Sequence, residues 1–312
     1  MFEIPPAPRG VPTTWKGVAY GRNHESLEPL ALYEIEVIRR QAPADDWSAM
    51  ICEGATLADL DPEAIAFARE KYKEKFRERH PDRAKEVDEW DDLTFLAKAK
   101  ACHQGRITNT AVLLLGKSEA ASLLSPAIAH ITWVLRDKGE IEVDYAHFGP
   151  PLFLAVDRVF SKIRNLTVRY MSGETLFPLE VTQYDSWVIR EALHNCIAHQ
   201  DYRQSARITV TERPDSLMFT NRGDFIPGTV QSVIERDMPP DWYRNPFLAG
   251  AMVELKMIDT IGSGIKRMFR VQRDRNFPMP DYDLNKEGVV RVTIPGRVID
   301  ERYTRMLIER KD

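Results

Sequence analysis

The sequence predicts an α/β (α+β) fold, a two-layer sandwich of helices on a mixed sheet. Three observations lead there. Helix-like and strand-like patterns alternate along the C-terminal half. The turn Arg213-Pro214-Asp215-Ser216 separates two strand patterns and so reads as a hairpin. In a chain of 312 residues, 43% hydrophobic residues supply enough core for a sheet with covering helices.

Composition bounds the function classes before any motif is read. The chain carries 43 Lys+Arg against 47 Asp+Glu, a formal charge of -4. That balance excludes a protein that is basic throughout, although a local basic patch stays open. At roughly 150 residues per domain the prior is two domains. The three cysteines, Cys52, Cys102 and Cys196, form no C-x-x-C pair, which argues against a disulfide framework or a cysteine zinc site. The N-terminus has no apolar signal region, and the longest apolar run, Ala111 to Leu115, is too short to cross a bilayer. A cytoplasmic protein with no membrane partner is expected.

Taken in order, the first twenty-odd residues are proline-rich and extended, with a couple of short strands, including Phe2-Glu3-Ile4. A helix is expected from Pro29 to about Gln41, stopped by Pro43. A second helix starts at Asp61-Pro62 and runs to His80; its charges alternate in sign, the mark of a solvated helix laced by i,i+4 pairs. A third covers Leu93 to about His103. Thr110–Leu115, Ala129–Leu135 and Glu140–Val143 read as strands, and Leu152–Asn165 as a helix with Phe153, Val156, Val159, Phe160 and Ile163 on one face. Beyond Tyr184 come a helix over Ser186–His199 and strands at Arg207–Glu212 and Leu217–Asn221. Helices at Thr229–Arg236 and Phe247–Met257 follow, then a Gly262-Ser263-Gly264 turn, another helix and a last strand, Val289–Ile294.

Gly116-Lys117-Ser118 imitates a phosphate-binding P-loop. The motif needs a glycine where Ala111 stands, so the run is read as a strand end. The run REALHNCIAHQDY is more informative. Glu191, Asn195 and His199 fall at i, i+4 and i+8, one polar stripe, with Ile189, Leu193, Cys196 and Ile197 on the apolar face. An amide oxygen can ligate Mg²⁺ held by a triphosphate, and a carboxylate one turn away can activate water. Spacing alone equally fits a plain surface helix. Three further elements follow in order: Asn221-Arg222-Gly223-Asp224 at a strand end, where Gly223 would admit a base or ribose to the backbone; Arg244-Asn245-Pro246 opening a helix; and Gly262-Ser263-Gly264 before another helix, whose free N–H groups suit phosphate.

The segment Tyr184–Pro295 resembles the ATP-binding domain of the GHKL superfamily (the Bergerat-type fold), in the branch described as divergent AAA or as the ATPase of AlbA-like Schlafen proteins. These are predicted transcriptional regulators, sometimes mislabelled RecG-like helicases. The runs EALHNCIAHQDYR, NRGDFIPGT, RNPFLAGAMVELKMIDTIGSGIKRM and VVRVTIP carry the resemblance. It implies four parts: residues 1–28 as the end of an AlbA-like domain, 29–180 as a mostly helical α/β connector, 181–297 as the ATP-binding domain, and 298–312 as the start of a linker to a winged-helix region. It implies ATP and Mg²⁺ as cofactors, Glu191 as the water-activating base and Asn195 as the Mg²⁺ ligand. Asn221 and Gly223 would contact adenine, Gly262, Ser263 and Gly264 the phosphates, and Thr293 would lie near the adenine pocket. His199, Asp201 and Arg244 match the branch without an assigned role. One departure stands out. The superfamily's adenine-binding aspartate is Asn221 here, which can accept through its carbonyl oxygen, followed by Arg222 where the branch has proline.

The expected function is an ATP-binding regulatory module that hydrolyses ATP slowly. Mg²⁺-ATP would order a lid between Gly228 and Gly264 and so control dimerisation, as a homodimer, or the flanking nucleic-acid-binding domains. The alternative is a scaffold with a vestigial nucleotide site. A histidine kinase, suggested by His24-Glu25, lacks the long helical hairpin around that histidine.

Overall fold

Gly17, at φ +81, makes the turn between the first two strands of the N-terminal part. The computed structural model describes residues 12–23, 26–32, 34–35, 46–171, 178–226, 228–235, 243–258 and 264–297. The chain divides into two units, 1–47 and 48–312. In the first, β1 (Thr14–Trp15), β2 (Val18–Asn23) and β3 (Ser26–Pro29) form an antiparallel sheet. Pro29 closes β3 rather than opening a helix; residues 36–41 of that expected helix, like Phe2–Ile4, lie outside the described residues.

The second unit opens with α1 (Pro62–Arg79). Asp61 caps it by accepting from Glu63 N at 2.8 Å and Ala64 N at 3.0 Å, with Pro62 at the first position. Ala64, Ile65, Ala68 and Tyr72 are its buried stripe. Its charges pair mostly away from the helix rather than along it as expected: Arg69 with Asp92 at 2.7 Å, Lys73 with Asp88 and Lys75 with Glu254 at 3.3 Å, against Lys71 with Glu74 at 2.8 Å within it. Helices α2 (Glu86–Glu89) and α3 (Asp92–Lys98) follow, then a small ladder of β4 (Cys102–His103) and β5 (Arg106–Ile107). The third expected helix therefore stops at Lys98, and its last residues turn into a strand.

The strand expected at Thr110–Leu115 is a helix, α4 (Asn109–Leu115). A short apolar run buried on all sides has no period to read. What decides it is Thr108, whose hydroxyl accepts from Ala111 N at 3.4 Å as an N-cap, and complete burial of all seven residues. Gly116 ends this helix, and the Lys117 ammonium donates to Ala58 O at 2.7 Å, so the P-loop imitation is a helix end tied to its own backbone.

The main sheet has six strands in the order β12-β13-β11-β10-β6-β7. They are β6 (Ile131–Arg136), β7 (Glu142–Phe148), β10 (Ile208–Arg213), β11 (Ser216–Arg222), β12 (Asp281–Asp283) and β13 (Val289–Pro295); β8 (Thr167–Met171) and β9 (Pro178–Thr182) form a separate hairpin. β6 and β10 run parallel and the other neighbours antiparallel, so the sheet is mixed as expected. It draws β6 and β7 from the stretch assigned to the connector and so crosses the expected boundary at 180. Helix α5 (Leu152–Lys162) packs on β6 and β7, and α6 (Ser186–His199) on β11. After α7 (Val230–Glu235), α8 (Pro246–Glu254) and α9 (Gly264–Asp274) pack on α6. Alternation along the strands buries Leu217, Phe219, Val292 and Ile294 under these helices. Glu212 is buried there too. It accepts from Trp133 Nε1 at 3.0 Å and pairs with Arg164 Nε at 2.6 Å, so strand β10 carries a charge that its neighbours satisfy.

Candidate nucleotide site

The site is built around α6. Asp185 caps the helix, accepting from Trp187 N at 2.9 Å and Val188 N at 3.3 Å, which fixes its rotation. Val188, Ile189, Leu193, Cys196 and Ile197 are buried, so Glu191, Asn195 and His199 lie together on the opposite, half-buried stripe. The Asn195 amide donates from Nδ2 to Glu191 Oε1 at 3.2 Å, which leaves its carbonyl oxygen as the ligand atom. Glu191 in turn abuts the first residue of α9. A methyl group on Gly264 would lie 1.6 Å from Glu191 Oε1, so only glycine leaves the carboxylate where it is. Gly262 and Ser263 lie outside the described residues.

A second cluster surrounds the end of β11. Asn221 is buried and donates to Arg222 O at 3.1 Å. Gly223 adopts φ +120, and a Cβ there would come within 2.8 Å of Arg244 Nε. The space that the sequence reading reserved for a base or ribose is thus held by a guanidinium. Arg244 pairs with Asp201 at 3.7 Å and donates to Asp224 O at 3.2 Å, while its buried Nε has no hydrogen-bond partner among the described residues. Asp201 N donates to Arg222 O at 2.8 Å, Gln200 Oε1 accepts from Arg222 N at 2.8 Å, and Asn245 Nδ2 donates to both Ala198 O and Gln200 O, at 3.0 Å and 2.8 Å. The runs HQDY, NRG and RN, opaque in sequence, are therefore stitched to one another. They hold the end of α6, the end of β11 and the start of α8 in one place.

His199 stacks on Tyr243 with ring centroids 5.8 Å apart and planes 17° from parallel. Burial, with a smaller push from the Arg244 charge, lowers its pKa to about 4, so it is neutral at pH 7. Burial also raises the Tyr243 hydroxyl, with Glu191 adding to it. Tyr282 on β12 is raised by burial first and then by the nearby Cys196 and Glu191, and it packs against Phe225 and Phe269. These two tyrosines link the clusters, one touching His199, the other Phe225, and both feeling Glu191. Neither was singled out from sequence: each lies in a short polar stretch, and the only available signal was an aromatic flanking a motif.

Thr293 falls elsewhere. It pairs with Met218, whereas Asn221 shares the helix-covered face with Phe219, the partner of Val292. A period of two places Thr293 on the opposite side of the sheet from the α6 stripe.

Behind the stripe, α6 holds the end of α8. Arg190 Nη2 donates to Lys256 O and Met257 O, each at 2.8 Å, and His194 Nδ1 donates to Met257 O at 2.7 Å. From α1, Lys75 donates to Val253 O at 2.8 Å. Three side chains thus tie down the carbonyls at and just beyond the end of α8. Burial, together with the Arg190 charge, lowers His194 to about 3, and burial alone pushes the Cys196 thiol up to about 12, which makes it inert. Among the described residues no group of three or more His, Cys, Asp or Glu is placed to hold a metal by itself, and no helix is long and apolar enough to cross a membrane.

Residues 205–294 match an HATPase family model described as "Putative ATP-dependent DNA helicase recG C-terminal", less than a third of the chain. Residues 36–131 match a domain of unknown function. No curated protein matches the sequence. Among solved structures, the DIP2311 protein from Corynebacterium diphtheriae is similar in fold, with a TM-score of 0.65 and 22% identity over 94% of this chain; the match spans 56% of that protein. Residues 205–294 are thus similar to an ATPase-type domain model, and the solved structure shares the mixed α/β fold.

Proposed function

We propose that this chain binds Mg²⁺-ATP in the cleft between α6, the end of β11 and the start of α9, and hydrolyses it slowly. The observation that carries the reading is the hydrogen-bonded Glu191–Asn195 pair set against Gly264 at the start of α9. A carboxylate and an amide oxygen one turn apart are hard oxygen donors, which suits Mg²⁺. Asn195 would hold the ion, which neutralises phosphate charge when bound. Glu191 would hold the attacking water and take its proton as the water oxygen adds to the terminal phosphorus and the bond to the bridging oxygen breaks, leaving ADP and phosphate. Gly262, Ser263 and Gly264 would donate backbone N–H groups to the phosphates, and Asn221 and Gly223 would face adenine. In this reading ATP orders the segment between Gly228 and Gly264 and so governs homodimerisation and the posture of nucleic-acid-binding parts beyond this chain, in the cytoplasm, as a transcriptional regulator would require.

A second reading, a scaffold with a vestigial site, is favoured by the Arg244 guanidinium over Gly223 and by Thr293 on the far face. Calorimetric titration with Mg²⁺-ATP and a phosphate-release assay separate the two. The ATPase reading expects binding that weakens at least tenfold in Asn195→Ala and turnover that vanishes in Glu191→Gln. Binding that both variants leave unchanged, with no turnover in the wild type, would sink it.

A further inference from the structure

Helix α9 presents a largely basic outer face, interrupted by Asp274 at its end. Steps of about 100° per residue place Lys266, Arg270 and Arg273 within an arc of about 60°, with Arg267 at its edge. Met268 and Gln272 on the opposite side are buried, so the helix is anchored by its inner face and offers cations outward. Arg267, Arg270 and Arg273 are exposed. Arg270 forms no ion pair among the described residues, and Arg273 pairs only with its neighbour Asp274, both largely in water, where such a pair neutralises little. The patch continues onto α6. The Arg267 guanidinium lies 4.1 Å from the centroid of the Trp187 ring, and Arg190 stands one turn beyond Trp187, its hydrogen bonds going to carbonyls that leave its charge intact.

Such a surface in a chain of net charge -4 selects a polyanion. The stripe from Lys266 to Arg273 is about 10 Å long, the reach of about three phosphates along one strand. A buried apolar face leaves nothing to insert into a lipid layer, whereas Trp187 beside Arg267 combines stacking surface with charge, as single-stranded nucleic acid requires. We propose that the outer face of α9, with Trp187 and Arg190 of α6, binds the sugar-phosphate backbone of a nucleic acid. The surface lies outside the nucleotide cleft and uses neither Glu191 nor Asn195.

The test is fluorescence anisotropy of the full chain with a short labelled DNA oligonucleotide, single-stranded and as a duplex, across a salt series, with Mg²⁺-ATP binding measured in parallel. The wild type is expected to bind, more weakly as salt rises. The double variant R270Q/R273Q should lose about tenfold in affinity and flatten the log-log salt slope by about two, with ATP binding unchanged. Lys73→Gln on α1, which removes a paired cation, should change nothing. If the double variant proves unstable, R270Q alone decides, with a slope flatter by about one. The proposal is overturned if the wild type binds neither oligonucleotide at low salt, if the Arg270 and Lys73 variants weaken binding equally, or if phosphatidylserine vesicles are bound and oligonucleotides are not. ATP and oligonucleotide binding are scored separately, so failure of one does not decide the other.

Discussion

The two faces of α6 solve opposite problems with neighbouring residues. One face buries Ile189, Leu193, Cys196 and Ile197 and turns His194 into a neutral donor locked on Met257 O. The other keeps Glu191 and Asn195 half-buried, bonded to each other and pressed on a glycine. The first face has the packing and satisfied polar groups that hold a fold together. The second is a half-buried polar pair set against the start of α9, the pair proposed above to meet Mg²⁺-ATP. Substitutions on the first face should therefore move stability, and on the second, activity with the fold intact.

The largest effect should come from Leu193→Ala, which removes a fully buried side chain under the sheet. A loss of about 2–5 kcal/mol in urea unfolding is expected; a loss as small as that of Asn195→Ala would erase the distinction between the faces. Acid should come next, through one histidine on each face. His194 and His199, at about 3 and about 4, refuse protons that the unfolded chain accepts below its ordinary value of 6.5. A depressed imidazole costs nothing above pH 6.5. As pH falls below that value stability is lost, by up to about 1.4 kcal/mol per pH unit for each histidine, until the folded pKa is reached. Unfolding midpoints at pH 7 and pH 5 should differ accordingly, and His194→Gln should remove about half of the slope.

On the polar face, Asn195→Ala should shift stability by only about 0.5 kcal/mol while abolishing the Mg²⁺-dependent part of ATP affinity. Gly264→Ala sharpens the contrast furthest. The three atoms nearest its methyl all belong to the Glu191 side chain, which can swing away. The melting temperature should hold or rise while turnover falls. A fall in both would show that the carboxylate braces the helix start rather than waiting for substrate.

Local chemistry made much of this legible. The apolar spacing placed α6 over Ser186–His199, and the Arg213–Ser216 turn announced the β10–β11 hairpin. What stayed hidden depends on partners far along the chain. The run 109–115 is helical because Thr108 caps it and other elements bury every side. Thr293 was placed by motif order, but strand register decides its face. Arg244 had no readable role because its partners, Asp201 and Gly223, are over twenty residues away.

The parallel pairing of β6 with β10 has a consequence for how portable the ATPase-type segment is. Cut out at its family match, residues 205–294, or at the expected boundary of 181, the piece would leave behind Ile131–Phe148, and β10 would become a raw edge. In either cut Glu212 would lose both the indole of Trp133 and the guanidinium of Arg164, and so keep a carboxylate facing an open seam. Recombination that moved only the motif-bearing segment between proteins would carry the chemistry without the wall that supports it. The sheet that supports the segment begins at Ile131, well upstream of Tyr184.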